Sequence, residues 1–293
     1  MEEVTPKEKI IVEKSSSLFE KLKLSLKLIL IIVFGVLIGN SLYFSQADQS
    51  QSSYESDDVP DDCTVVGINL HGNLLTYIPP HAENDSFFNY NSVASEDIIW
   101  KIKQANINPG IKAIILEVDS GGGSPIAGEE IANVVKNSAK PVVGYIREVG
   151  ASSAYWAVSS ATKIFASKNS NVGSIGITGS YLTNVEKNKK DGYEYQQIVS
   201  GKYKDSGTTN KLVTEDERII FLRDVNIMYL NFMEDISENR NIPIEKVRSF
   251  SDGSTVLGEK AKSLGLIDEI GGIGEIESYL EKTFGEKPEI CWS

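Results

Sequence analysis

The sequence predicts an α/β fold, and three observations carry that prediction. Short apolar runs recur at 113–118, 141–146 and 163–166. Segments of helical length separate them, and glycine-containing turns stand where a run gives way to a helix. Strands alternating with helices of this length imply parallel crossover units, whose strands are covered on both faces and so read as apolar runs. In such folds ligands gather at the carboxyl ends of the strands.

Each element follows from local chemistry. Thr64 to Leu70, TVVGINL, reads as the first strand, and Tyr77 to Asn91, polar and holding Pro79-Pro80, reads as a loop. Ala94 to Ala105 has helical spacing. The run Ala113 to Val118 ends in Asp119-Ser-Gly-Gly-Gly-Ser124, after which a helix is predicted over about Ile126 to Asn137. Pro141 to Ile146 is the next strand, followed by the Gly150 turn, a helix through Val158, and the strand Lys163 to Ala166. A long helix should start at Thr214, because Thr214-Glu-Asp-Glu217 has the form of a capping box, and should stop before Pro243. The segment Gly258 to Ile267 reads as a short helix stopped by Gly265 and then a short strand.

Upstream of these units the chain changes character. Residues 28–47 carry no charge, and their core, LILIIVFGVLI, is long enough with its flanks to cross a bilayer. Lys21, Lys23 and Lys27 precede the run, whereas Asp48, Glu55, Asp57, Asp58, Asp61 and Asp62 follow it. This asymmetry places residues 1–27 in the cytoplasm, makes 28–47 a transmembrane signal anchor and 48–62 an acidic linker, and puts residues 63–293 outside the cytoplasm. A cleaved signal peptide ending near Ser45-Gln46-Ala47 is the alternative, and it leaves the domain in the same compartment. That compartment permits a disulfide between Cys63 and Cys291, although two separate thiols fit the sequence equally well.

Composition excludes several classes of function. The chain has 293 residues, 41% hydrophobic and 24% charged, with a net charge of −12. No basic stripe is present to follow phosphates, so nucleic acid is not an expected partner. The sequence has no zinc-type Cys/His spacing and no P-loop, so neither metal nor cofactor is expected.

Two loops remain as places for chemistry. The glycines of Ser120-Gly-Gly-Gly-Ser124 let backbone amides approach a ligand beside a helix N-terminus, which suits an oxyanion or a phosphate. Gly150-Ala-Ser-Ser-Ala154 stands where a strand turns into a helix, a geometry that exposes a hydroxyl next to backbone amides. The pattern alone favours Ser152 or Ser153 as a helix cap. His71 and His81 lie far upstream, and each reads as a loop histidine. A neutral lysine can serve as base in their place. The segment Ser200-Gly-Lys-Tyr-Lys-Asp-Ser-Gly207 offers Lys202 and Lys204, between which spacing does not choose.

From about Cys63 to Gly272 the chain resembles the signal peptide peptidase A family of membrane-bound Ser/Lys proteases, in its short, single-repeat form. The resemblance rests on Asp119 to Ser124, Ala151-Ser-Ser-Ala-Tyr-Trp156, Val172-Gly-Ser-Ile-Gly-Ile177, Gly201-Lys-Tyr-Lys-Asp205 and Gly258 to Asp268, in that order. It implies Ser152 as nucleophile, Lys204 as general base and Ser174 as the group that orients the lysine. It also implies an oxyanion hole from the amides of Gly122 and Ser153. The implied fold is that of the Clp protease and crotonase, stacked β-β-α units rather than a flat doubly wound sheet. Relatives form homo-oligomers in which serine and lysine come from neighbouring subunits, so Lys204 would act in trans. The apolar Ile227, Met228, Leu230, Phe232 and Met233 on the Thr214 helix would then form an interface, and a core-facing stripe explains them equally well.

The chain departs from the family pattern in three places. Gly121 stands where a proline is usual, Ser153-Ala154 where two glycines are usual, and Trp156 where a tyrosine is usual. The expected substrates are peptides, either remnant signal peptides or other extended apolar segments near the membrane. The sequence admits comparison with three rival readings. A non-catalytic scaffold should lack one of Ser152, Lys204 or Ser174, and all three are present. An acyl-CoA enzyme of crotonase type wants a cytoplasmic domain. A stomatin-associated protease that cuts hydrophobic tails of membrane proteins fits the sequence as well as a signal peptide peptidase does.

Overall fold

The computed structural model describes residues 63–79 and 92–293. The anchor expected at 28–47, the linker at 48–62, and most of the loop at 77–91 with His81 lie outside the described residues. Among the described residues no helix is long and apolar enough to cross a membrane.

The fold is mixed α/β, as predicted. Strands β1 (Val65–Leu75), β3 (Ala113–Gly123) and β4 (Val142–Ala151) form a parallel centre, with Val65 opposite Ala113 and Ile114 opposite Val142. The sheet continues through β5 (Lys163–Ala166) to β8 (Glu269–Ile270) on one side. On the other, β2 (Ser92–Ala94) and β9 (Ile290–Trp292) both pair with β1. The period of two sorts the strand residues between two cores. Val66, Ile68, Leu70, Ile114, Leu116, Val118, Val142 and Ile146 face helices α1 (Ser95–Ile107), α2 (Pro125–Lys136) and α3 (Ser153–Ser159). Val65, Ala113, Ile115, Val143 and Phe165 face Ile276 and Leu280 of α8 (Ile273–Phe284). Burying each large aliphatic side chain in these layers contributes about 1.5–3 kcal/mol.

The observed boundaries differ from the predicted ones where glycines join a ladder. The loop predicted at 119–124 is strand as far as Gly123, because Gly122 and Gly123 pair with Asn73 and Leu74. Strand β4 runs to Ala151, beyond the predicted Ile146, by changing partner. Its residues 143–146 pair with β5, whereas Val149 to Ala151 pair with β6 (Asn171–Gly173). Strand β6 also pairs antiparallel with β7 (Thr255–Leu257). The end of β4 thus keeps β3 on one side, with Gly150 opposite Ser120 after a register shift, and takes β6 on the other, and the site is built there.

Four helices complete the order of elements: α4 (Val185–Lys190), α5 (Glu215–Asn239), α6 (Ile244–Arg248) and α7 (Gly258–Leu264). The predicted capping box is present on α5, with the Thr214 hydroxyl accepting from the Glu217 amide. Helix α7 stops at Gly265, whose φ of 89° is left-handed, as predicted. The α5 stripe divides, with its later residues facing the core and its earlier ones the surface. Phe232, Met233 and Ile236 are buried in the core, while Ile219, Leu222, Ile227 and Leu230 are exposed. Cys63 and Cys291 are bonded, with Cα atoms 5.9 Å apart, which joins the two ends of the described chain across 228 positions.

Candidate active site

Ser152 sits between the end of β4 and the start of α3, in a conformation that L-residues rarely adopt. Its φ of 54° and ψ of −131° lie where a side chain is strained. Among the described residues only Ser152, Ser174 and Asn241 are non-glycine residues with positive φ. Strain of this kind persists only where the surroundings hold it, and two bonds do so here. The Ser152 amide donates to the Gly173 carbonyl at 2.7 Å, and its carbonyl accepts from the Trp156 amide at 3.0 Å. The Ser152 side chain has no hydrogen-bond partner among the described residues. This is the strand–turn–helix arrangement that presents a nucleophile.

The turn after β6 brings Ser174 to the same place. Because its neighbour Gly173 holds the Ser152 amide, the register of β4 on β6 sets both serines in one cleft of about 390 Å³. Its walls include Ile177, Val225, Tyr229 and Asp252. The Ser174 hydroxyl donates to the Gly253 carbonyl at 2.8 Å, which leaves its oxygen lone pairs to accept from a cation.

The glycine loop reaches the nucleophile from the other side. A Cβ on Gly122, where φ is +102°, would lie 2.8 Å from the Ser152 Cβ and 3.0 Å from the Ser153 amide nitrogen. Only glycine fits that approach. The Gly122 amide itself donates to the Ser120 hydroxyl at 3.0 Å, and that hydroxyl donates to the Gly72 carbonyl at 2.5 Å. The amide of Ser153, the first residue of α3, has no acceptor within its own helix. The Ser153 side chain is buried against Gly128 of α2, and its hydroxyl has no partner among the described residues.

The structure separates the two lysines that spacing left equal. Lys202 donates to Asp216 at 2.6 Å, and this carboxylate, with a smaller effect of Tyr203, holds its amine protonated, with a pKa pushed up to about 12. Lys211 is also engaged, by Glu217 at 2.6 Å and Asp205 at 3.2 Å. The Lys204 side chain is exposed and has no partner among the described residues. It does not line the Ser152 cleft. His71 lies within strand β1 and not in a loop as expected, pairs with Glu117 of β3 at 3.0 Å, and does not line that cleft either. The described residues therefore bring Ser152, Ser174, Gly122 and Ser153 together and leave Lys204 at the surface of the same chain.

Three features escaped the sequence reading. The Gly173 carbonyl that holds Ser152 and the Gly253 carbonyl that holds Ser174 are backbone groups without a residue signature. The third is the Asp235 carboxylate, which accepts from the Trp156 indole nitrogen at 2.8 Å. That ring also stacks on Phe232, with centroids 4.4 Å apart, and so locks α3 to α5.

Comparison with known proteins completes the description of the site. The model of peptidase family S49 matches residues 135–285, just over half of the chain and inclusive of Ser152, Ser174 and Lys204. A protein of Methanocaldococcus jannaschii named as a candidate protease is 37% identical over 183 residues, 61% of this chain and 59% of that one. The chloroplastic serine protease SPPA of Arabidopsis thaliana is 29% identical over 62% of this chain and 27% of its own length. Protease 4 of Haemophilus influenzae is 27% identical over 80% of this chain and 36% of its own length. The chain thus spans less than two thirds of the length of each of these relatives. A solved ClpP1 variant from Listeria monocytogenes is similar with a TM-score of 0.44 and 17% identity, over 72% of this chain and 93% of that one.

Proposed function

The chain belongs to peptidase family S49, and from that premise we propose that it is a membrane-anchored serine endopeptidase with Ser152 as nucleophile and Lys204 of a neighbouring copy as general base. The observation that carries this reading is the strained Ser152 turn, with Ser174 in the same cleft and Gly122 packed against it. In this reading the Lys204 amine accepts the proton of the Ser152 hydroxyl as its oxygen adds to the scissile carbonyl. Lys204 then gives that proton to the leaving amine. Water, deprotonated by the same lysine, releases the acyl group and restores the serine. The Ser174 oxygen accepts a hydrogen bond from the ammonium and orients it. The Ser153 amide and the glycine loop stabilise the oxyanion, which requires the Gly122 amide to turn from Ser120.

The placement of Lys204 supports action in trans. A surface lysine is protonated and hydrated, and an amine covered by a second subunit loses that water and gives up its proton more readily. The described surface has the apolar residues that such contacts need. Tyr181 and Leu222 are exposed along one groove with Phe221 and Met228, an apolar surface of the kind subunit contacts use. The crossover units and the partner change of β4 fit the Clp protease and crotonase type of fold that the resemblance implies.

The substrates of this reading are extended apolar peptides near the membrane, remnant signal peptides among them, taken up outside the cytoplasm by a domain tethered through residues 28–47. The test is hydrolysis of an unfolded apolar peptide by the wild type, Ser152→Ala and Lys204→Ala. Loss of turnover in both variants supports the assignment, and retained turnover in either ends it.

A further inference from the structure

The segment that carries Lys204 contains neither strand nor helix between residues 191 and 214. Its shape is held by side chains instead. Asp205 accepts from the Tyr195 hydroxyl at 3.0 Å and from Gln197 Nε2 at 2.8 Å, and pairs with Lys211 at 3.2 Å. The Ser206 hydroxyl donates to Glu217 Oε1 at 3.0 Å, and Lys211 reaches the same oxygen at 2.6 Å. The other oxygen of Glu217 accepts from the Thr214 amide at 2.9 Å and the Thr214 hydroxyl at 3.0 Å. On the other side, Lys202 is tied to Asp216.

The bonds of Lys202 and Ser206 end on the first turn of α5 and the Asp205–Lys211 pair on the residues that lead into it, while Tyr195 and Gln197 hold Asp205 from the upstream side. The side chains of Glu217 and Asp205 are only 3% and 12% exposed, so these carboxylates sit inside the network. Lys204 lies in the middle of the tied stretch and is itself untied. A capping box alone needs only Thr214 and Glu217. The further bonds to Ser206 and Lys211 and the shell around Asp205 do nothing for the cap, and they fix the turn at 201–207.

We propose that Asp205 and Glu217 are positioning residues, which hold the Lys204 turn rigidly on α5 so that its amine meets Ser152 of a neighbouring copy at one distance and angle. The proposal rests on the Ser152–Lys204 reading given above. An amine on a long flexible stem reaches its target only part of the time unless its base is fixed, and a misplacement of about 1 Å costs roughly 100-fold in rate.

The experiment compares the full-length wild type, Asp205→Asn, Glu217→Gln, the double variant, Tyr195→Phe and Lys204→Ala on an unfolded apolar peptide, below the melting temperature of each. The expected result is a fall in kcat of about 10- to 100-fold in Asp205→Asn and Glu217→Gln, with KM within about twofold because substrate binding is untouched. The double variant should be no worse than the poorer single one, since the two residues act as a unit. Hydrogen exchange of residues 200–208 should quicken in the same variants. Tyr195→Phe, which removes one neutral bond and keeps the ring, should show the same signature at about two- to fivefold. Unchanged kcat in Glu217→Gln and Tyr195→Phe despite faster exchange overturns the proposal, as does a loss that appears in KM. If Lys204→Ala is inactive while both carboxylate variants keep full turnover, only the positioning role fails. If Lys204→Ala keeps turnover, the dyad reading fails and the positioning role with it.

Discussion

The turn at 150–156 and the turn at 201–207 present the two halves of the proposed chemistry and are built in opposite ways. The first is held by backbone and core. Ser152 is locked by the Gly173 carbonyl, and everything from Ser153 to Ser159 is buried. The second lies on the surface and is held by polar side chains around the buried Glu217 and half-buried Asp205 carboxylates. A nucleophile made reactive by strain needs a rigid core around it. A base delivered to another subunit needs an exposed tip on a fixed stem. The contrast sorts substitutions into those that damage the fold and those that damage the encounter.

The largest effect should come from the tips. Ser152→Ala should reduce hydrolysis to background, and Lys204→Ala should cost about 10²- to 10⁴-fold in kcat, with melting temperatures unchanged. A Lys204→Ala protein that melts early would show that this turn is part of the core after all. Next comes the glycine that separates the loop from the nucleophile. In Gly122→Ala the new methyl meets Ser152 at 2.8 Å and the residue keeps a positive φ. Activity should be lost along with about 1–3 kcal/mol of stability, read by denaturant unfolding.

Substitutions in the core of the first turn should lower stability more than chemistry. Trp156→Phe keeps the stack on Phe232 and removes the bond to Asp235, for about 1–3 kcal/mol. Ser153→Ala removes a buried hydroxyl that has no partner among the described residues and leaves the backbone amide in place. Its stability should rise slightly, by up to about 1 kcal/mol. A clear loss would mean that the Ser153 hydroxyl does have a partner in the working enzyme.

The second turn should respond to pH where the first does not. Lys211, then the Thr214 amide, hold the Glu217 carboxyl at about 2, well below the ordinary carboxylate range. A depressed pKa stabilises the folded state above that ordinary range, near 4.3, and the contribution is lost as pH falls from there toward the depressed value. The wild type should therefore lose melting temperature more steeply than Glu217→Gln on acidification through this window. Parallel curves would remove the ion pair from the account.

Local signals were legible in the sequence and contacts between distant residues were not. The apolar runs became β3, β4 and β5, the Thr214 capping box became the start of α5, and Gly265 became the left-handed stop of α7, because each depends on neighbours within a few positions. Strands β6 and β7, three residues each, have no periodicity to read, yet β6 is what holds Ser152. Pattern alone left Ser152 as a helix cap, and the resemblance to a family, not the spacing, singled it out. The Cys63–Cys291 bond was open because no local signal reports proximity across 228 positions. Lys202 and Lys204 looked alike until Asp216 was seen to hold one of them. Glu217 was legible as a cap and not as the anchor of Ser206 and Lys211, which lie in a segment without regular structure.

The most direct test of the account is mixing. Ser152→Ala and Lys204→Ala, each inactive alone, are unfolded together, refolded at equal amounts and assayed on the apolar peptide. If lysine and serine meet across subunits, one site in four joins an intact serine to an intact lysine, so activity should return to about a quarter of the wild-type level. A mixture as inactive as its components, at a concentration where the wild type turns over, would contradict it.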